Sequence, residues 1–326
     1  MRHVLVTGGA GYIGSHTAKL LKASGLTPVV YDNLATGHRS SVRWGPFVQG
    51  DILDTERLVA TLTEYAINAV IHFAACAYVG ESMENPAKYY RNNVAGTLSL
   101  LDACRQAETG TIIFSSSCAT YGVPEHLPIS ETTPQRPINP YGQTKLIAEH
   151  MLRDYAAAYG LRYVALRYFN AAGCDPEGDL GEWHDPETHL IPLALQAASG
   201  QGPRLSVFGT DYDTADGTCV RDYIHVSDLA QAHRLALRYL DGGGASLAVN
   251  LSTGQPASIR ELLAAIARVT QREVPVTWSR RRPGDPPVLY AVPTLAREKL
   301  GFVPQYSDLD TIIRTAAPFF GLKAAV

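Results

Sequence analysis

Glycines at 8, 11 and 14, set between a strand and a helix, constrain this chain more than any other feature of its 326 residues. Val4-Leu-Val6 reads as a short buried strand, and Ser15 to Ala23 has the periodicity of a helix. Between them runs Thr7-Gly8-Gly9-Ala10-Gly11-Tyr12-Ile13-Gly14. Small residues there permit a tight turn and close backbone approach to a pyrophosphate, with the helix N-terminus aimed at its negative charge. The same spacing would serve a plain strand-to-helix turn, but strand before and helix after is the context the phosphate reading requires.

The next segments keep the alternation. Pro28 to Asp32 reads as a second strand ending in an acid, placed to accept hydrogen bonds from an adenine ribose and to repel a 2′-phosphate. That favours NAD over NADP, although Arg39 stands nearby. Further strands are expected at 47–52, 69–75, 111–117, 161–167 and 220–226, and helices at 55–65, 86–107, from Tyr141 onward and from Ser227 to Tyr239. The fold class is therefore α/β, a doubly wound parallel sheet of Rossmann type with a smaller α/β C-terminal lobe. Gly8, Asp32, Asp51, Ala74 and Ser117 all fall at carboxyl ends of strands, where such sheets bind ligands.

Tyr141-Gly-Gln-Thr-Lys145 opens one of those helices, and residues four apart share a face. A free phenol titrates near ~10, too high for a base at neutral pH. An ammonium group beside it favours the phenolate, so the pair suits acid/base work on a hydroxyl. Two surface residues on one helical turn would look the same, and the accompanying motifs decide between the readings.

Composition excludes several classes. Hydrophobic residues make up 46% and charged ones 18%, as in a globular chain with a sizeable core. A formal charge of −3 and one short basic run, Arg280-Arg281-Arg282, give no basis for nucleic-acid binding. No apolar run approaches the ~20 residues of a membrane span. The N-terminal residues read as a strand and not a signal peptide. Five scattered cysteines without a CxxC point to free thiols and a cytoplasmic setting. His184 and His189 have the look of a metal pair, but no Cys or His accompanies them, so no metal is expected.

Taken together, VTGGAGYIGSH (6–16), FSSSCATYG (114–122), PYGQTK (140–145), LRYFNAAG (166–173), DGTCVRDYIHVSDLA (216–230) and RRPGD (281–285) resemble the extended short-chain dehydrogenase/reductases, and more narrowly the UDP-glucose (UDP-galactose) 4-epimerases, along nearly the full length. The resemblance implies NAD-dependent epimerisation at carbon 4 of a UDP-hexose through a transient 4-keto sugar. Pentose or N-acetylhexosamine substrates share every motif. It implies catalysis by Ser117, Tyr141 and Lys145. Tyr141 would take the hydroxyl proton, Ser117 would help pass it, and Lys145 would hold the nicotinamide ribose and lower the Tyr141 pKa.

Cofactor contacts would come from Gly8, Gly11, Tyr12, Ile13, Gly14, Asp32, Asn33, Asp51, Ile52, Phe73, Ala74, Ala75, Asn92, Asn93, Ser115 and Tyr168, besides Tyr141 and Lys145. Sugar-nucleotide contacts would come from Asn170, His189, Leu190, Phe208, Arg221, Tyr223, Arg282, Asp285 and Leu289, with Ser117 and Tyr141. Two arginines suit a diphosphate through forked bonds. Arg221 could equally be a surface pair with Asp222, and Phe208 or Leu289 plain core.

Dehydratases and decarboxylases need an extra acid or base beside the keto sugar. The run Ser117-Cys118-Ala119-Thr120-Tyr121 supplies none, and it departs from the SATVY wording of some epimerases. A non-catalytic NAD-binding regulator would require a broken catalytic set. The expected organisation is an NAD-binding region at 1–173, a returning segment near 227–254, and a sugar-nucleotide region at 174–326. A homodimer through helices 88–107 and 141–158 is implied by the family alone.

Overall fold

Alternation inside each strand dictates a sheet covered on both faces. Val4 and Val6 point into one core and Leu5 into another; Ile71 and Val70 divide the same way, as do Ile113 and Ile112. The computed structural model describes residues 2–281 and 286–324. The chain opens with β1 (His3–Thr7), α1 (Tyr12–Ala23), β2 (Thr27–Asp32) and β3 (Phe47–Gln49). It continues through α2 (Thr55–Glu64), β4 (Ala69–His72), α3 (Val79–Glu84), α4 (Pro86–Tyr89), α5 (Gly96–Gln106) and β5 (Thr111–Ser115). Helix α6 (Pro140–Tyr159) then leads to β6 (Arg162–Tyr168).

From there the chain leaves the sheet through β7 (Asn170–Ala172), α7 (Leu190–Ser199), β8 (Leu205–Phe208), β9 (Val220–Arg221) and β10 (Tyr223–His225). It returns through α8 (Val226–Asp241) to β11 (Leu247–Leu251), and ends with β12 (Ala257–Ser258), α9 (Ile259–Thr270), β13 (Val276–Ser279), β14 (Val288–Leu289) and α10 (Leu309–Ala316).

Seven strands form the central sheet in the order β11-β6-β5-β4-β1-β2-β3, every pair parallel. This is the doubly wound fold expected, with its switch point beside β1. Leu21 of α1 and Leu229, Leu235 and Leu240 of α8 cover one face. Leu58, Leu100, Leu101 and Leu152, from α2, α5 and α6, cover the other. A separate core holds Ile191, Leu195, Val207, Leu262, Ile266, Ile312 and Ile313 and defines the second lobe.

Three departures from the sequence reading have physical causes. The strand expected at 220–226 is two short strands in different sheets, because Asp222 between them is buried and bonded to Ser252 and Thr253. The helix expected from Ser227 starts at Val226, its first turn capped by Nδ1 of His225. The long helix expected at 86–107 widens into a π-type turn at Tyr90–Ala95, which buries Asn93. Near the C-terminus, Ala296, Leu300 and Phe302 return to the first core, so the sheet's covering extends further along the chain than 254.

No helix among the described residues is long and apolar enough to cross a membrane. All five cysteines are free.

Candidate active site

Each turn at the carboxyl edge of the sheet is built by a local rule. At Gly8 the backbone has φ +70, and a Cβ would lie 2.6 Å from Ala74 N. At Gly14 a Cβ would lie 2.3 Å from Gly8 O. Both glycines are demanded by the protein's own packing. Gly11 differs: a Cβ there would meet only Gly8 O, at 3.3 Å, so its missing side chain keeps the start of α1 open. Asp32 closes β2, accepting Ala10 N–H at 3.0 Å and Leu34 N–H at 2.8 Å, one on each oxygen, with lone pairs remaining for ribose hydroxyls. Burial pushes its carboxyl up, and those two bonds pull it back. Arg39 stacks over Phe47 and donates to Val42 O, which commits it elsewhere than to a 2′-phosphate.

The second half of the site is joined to the first by α6. Asn139 caps that helix by accepting Gly142 N–H at 2.8 Å, and Pro140 occupies its first turn. A Cβ on Gly142 would lie 2.5 Å from Ala119 O, so α6 begins pressed against the turn that follows Ser117. That contact sets Tyr141 beside Ser117, and both line the same cavity. Lys145, one turn on, is buried; its Nζ donates to Ser115 O at 2.7 Å and lies 5.8 Å from the Tyr141 ring centroid. Tyr168 reaches Ser115 Oγ from β6 at 2.5 Å.

Lys145 was expected to depress the Tyr141 pKa. In the protein itself burial dominates and pushes the phenol up, and the neighbouring Ser117 hydroxyl draws it down. Burial also lowers the Lys145 ammonium to about 8. Tyr141 and Lys145 both face a single cavity of about 750 Å³, within the size range of small-molecule sites. Gly8, Gly11, Tyr12, Ile13, Gly14, Asp32 and Asn33 line it at one end. Ile52, Phe73, Ala74, Ala75, Asn92, Ser115, Ser117 and Tyr168 also line it, as do Asn170, Arg221, His189 and Leu289. An open helix start, an acid at the end of β2 and small residues on the floor fit a dinucleotide.

Comparison with known proteins agrees with this geometry. Residues 4–252 match the NAD dependent epimerase/dehydratase family. The chain belongs to that family. It is 55% identical to a UDP-glucose 4-epimerase of Rhizobium leguminosarum bv. trifolii, over 96% of this chain and 95% of the relative. A UDP-glucose 4-epimerase from Brucella ovis, solved in complex with NAD, superposes with TM-score 0.98 at 68% identity, covering 100% of both chains. Another, from Stenotrophomonas maltophila with bound NAD and formylated UDP-arabinopyranose, has TM-score 0.95 at 41% identity, covering 98% of each.

Within this family member some of the expected residues stand away from the cavity. Asp51 is held by Asn33 Nδ2 and Leu53 N–H, at 2.9 Å each. Asn93 faces inward, bonded to Cys76 and Thr144, and so fixes the floor of the site from behind. Tyr223 is buried in the core of the second lobe, and Leu190 packs on that core from the first turn of α7. Phe208 is half-buried at the end of β8. Arg282 and Asp285 lie outside the described residues.

Arg221 Nη1 donates to Val220 O at 2.9 Å while its side chain lines the cavity, and Asp222 turns to Ser252 and Thr253. Asn170 is oriented by donating to Asp222 O at 2.9 Å. The sequence reading missed Tyr78, Lys88 and the stretch Glu182-Trp183-His184, all on the cavity wall. An aromatic and charged run inside a Gly- and Pro-rich loop was the available signal.

Proposed function

We propose that this chain carries out NAD-dependent epimerisation at carbon 4 of a UDP-hexose, interconverting UDP-glucose and UDP-galactose through a 4-keto sugar. The observation that carries this reading is the meeting of Ser117, Tyr141 and Lys145 in one cavity with the glycine turn and Asp32. The name shared by the relatives points the same way.

Tyr141 takes the proton from the carbon-4 hydroxyl and later returns one. Ser117, beside Tyr141 on the cavity wall, bridges it to the sugar oxygen and shares the proton's path. Lys145 fixes the β5 end through Ser115 O and offers its remaining donors to the nicotinamide ribose. When bound, NAD supplies the acceptor and then the donor of the hydride at carbon 4, and a cationic ring beside Tyr141. Asp32 and the start of α1 hold the adenosine and pyrophosphate, with Gly8, Gly11 and Gly14 keeping the approach clear. Arg221, Asn170, His189 and Leu289 contact the sugar nucleotide, whose diphosphate suits the guanidinium.

In this arrangement residues 1–173, with a returning segment near 227–254, serve NAD, and 174–326 serve the UDP-sugar. The protein works in the cytoplasm, where its five thiols stay reduced. It pairs as a homodimer through helices 88–107 and 141–158, the first of which exposes Tyr90 and Leu98. A panel of UDP-glucose, UDP-galactose, their N-acetyl forms and UDP-xylose, with products resolved by chromatography and no NAD added, tests the reading. The expected result is a UDP-glucose/UDP-galactose equilibrium mixture from either side and NAD in the denatured supernatant. Absence of any carbon-4 isomer from the whole panel overturns it.

A further inference from the structure

The loop between β7 and α7 brings together four side chains that the reaction above does not require as a set. Glu182, His184, Glu187 and His189 offer one ligand atom each, all within 4.8 Å of one another. His189 Nδ1 lies 2.9 Å from Glu182 Oε1 and 3.2 Å from Glu187 Oε1; His184 Nδ1 lies 3.6 Å from Glu182 Oε1 and 3.4 Å from Glu187 Oε2. A tetrahedral cation with bonds of about 2.0 Å has ligand-to-ligand edges of about 3.3 Å. With Oε2 as the Glu187 ligand, the separations of 2.9, 3.4 and 3.6 Å lie about that edge.

We propose that Glu182, His184, Glu187 and His189 form a site for one divalent transition cation of the zinc class. Two imidazoles, made neutral as the cation displaces their protons, and two carboxylates match the charge of such an ion and its preference for nitrogen and oxygen donors. Expecting no metal at His184 and His189 rested on the lack of further Cys or His; the fold supplies carboxylates instead.

A second observation separates this group from an ordinary ion-pair cluster. Glu182 Oε1 is buried and, among the described residues, has no aligned hydrogen-bond donor. His189 Nδ1 is close to it but not aligned, and the one proton on that nitrogen cannot serve two carboxylates. An acceptor left buried without a partner is costly, and a cation in the centre removes the cost. The supporting shell is in place: Glu187 Oε1 accepts the N–H groups of Thr188 and His189 at 2.8 Å. The acidic group Asp175, Glu177 and Asp179 makes the contrast. There Lys19 Nζ sits among all three, at 2.7, 2.8 and 2.8 Å, and satisfies them. At the His/Glu set no lysine or arginine among the described residues is paired with any of the four.

Because Glu182, His184 and His189 also line the cavity, the cation would cross-link residues 182–189 on its wall, beside Tyr12 and Tyr78, whose rings meet His184 edge-on at 5.9 and 6.2 Å. The test is direct metal binding by the purified full-length protein. After treatment with a chelator, the wild type is dialysed against buffered Zn²⁺ and its metal content measured; Co²⁺ is then substituted and its visible spectrum recorded. The expected result is about one Zn²⁺ per chain, a tetrahedral Co²⁺ spectrum without a thiolate band, and affinity lowered about tenfold or more in E182Q and in H184N. Failure of the wild type to take up stoichiometric Zn²⁺ overturns the proposal without reference to any variant. So does unchanged affinity in both variants, or a thiolate band in the Co²⁺ spectrum.

Discussion

Removing one oxygen from Tyr141 isolates the chemistry from the fold. Tyr141→Phe keeps the ring against the 118–121 turn and loses only the hydroxyl that meets Ser117. Turnover should fall by roughly 10²-fold or more, because positioned acid/base groups contribute about 10²–10⁴. NAD content and melting temperature should match those of the wild type and of Lys22→Ala, a change at an exposed position on α1. Near-normal turnover would remove Tyr141 from the mechanism. Leu289 tests the substrate side. It pairs with Arg221 between β14 and β9, packs against Cys118, Tyr121 and Ile129, and lines the cavity, so it stands just beyond Ser117. A larger ring there fills space without adding charge. In Leu289→Tyr the ratio of N-acetylated to plain hexose turnover should fall by about tenfold, the effect of ~1.4 kcal/mol of steric discrimination. An unaltered ratio in folded protein would place the gate elsewhere.

At the scale of elements, one buried ion pair holds the catalytic helix to the sheet. Arg167 of β6 makes a forked contact with Glu149 of α6, Nε to Oε1 at 2.9 Å and Nη2 to Oε2 at 2.5 Å. Ser116, between Ser115 and Ser117, donates to the same carboxylate at 2.5 Å, and Tyr121 accepts from Arg167 at 2.7 Å. Glu149→Ala strands the guanidinium in the interior, which should cost about 3–5 kcal/mol of unfolding free energy in urea titration. The double change Glu149→Met with Arg167→Met should cost less than the single one, since no charge is left unpaired. A single-variant loss below ~1 kcal/mol would show that solvent reaches the pair. This brace was not legible in the sequence, where a Glu and an Arg 18 residues apart look like surface charges. The strands were legible, because apolar residues filling both faces leave runs such as Ala69 to Ile71. So was the return of β11 to the sheet. Helix α9 carries a readable capping box, Ser258 with Glu261, that the sequence reading passed over. The two-residue strands β9, β12 and β14 carry no such signal. Their pairing is imposed by the packing of the second lobe around Asp222 and Ser252.

Four buried histidines couple the whole molecule to pH. His16 lies in α1, His72 ends β4, His225 heads α8 and His233 lies within it, so three of the four belong to the helix pair covering one face of the sheet. Burial, the leading cause in each, lowers His16, His225 and His233 to about 4 and His72 to about 3. Hydrogen bonding agrees for His225: its Nδ1 accepts Ser227 N–H at 3.0 Å, which a doubly protonated ring cannot do. These groups fold neutral with pKa values below their unfolded value of about 6.5, so their stabilisation is complete above that pH and is lost as pH falls towards 4. Each adds up to about 1.4 kcal/mol per pH unit to the slope, about 5 kcal/mol per unit for the four together. Asp32, Asp222 and Asp228, raised by burial, oppose this at the acid end, so the steep window lies between about pH 6.5 and 5. Lys145, lowered to about 8, acts above it. Urea titrations at pH 7, 6 and 5 should therefore show a steep fall in unfolding free energy. His225→Asn discriminates the cause. Asparagine places an acceptor oxygen where Nδ1 stood and is a good N-cap for α8, but does not titrate. Its stability at pH 7 should drop for the lost ring contacts, while the slope between pH 6.5 and 5 should shrink by about 1.4 kcal/mol per pH unit. A slope identical to that of the wild type would mean that His225 is already charged in the folded protein, and its cap to Ser227 would have to be abandoned.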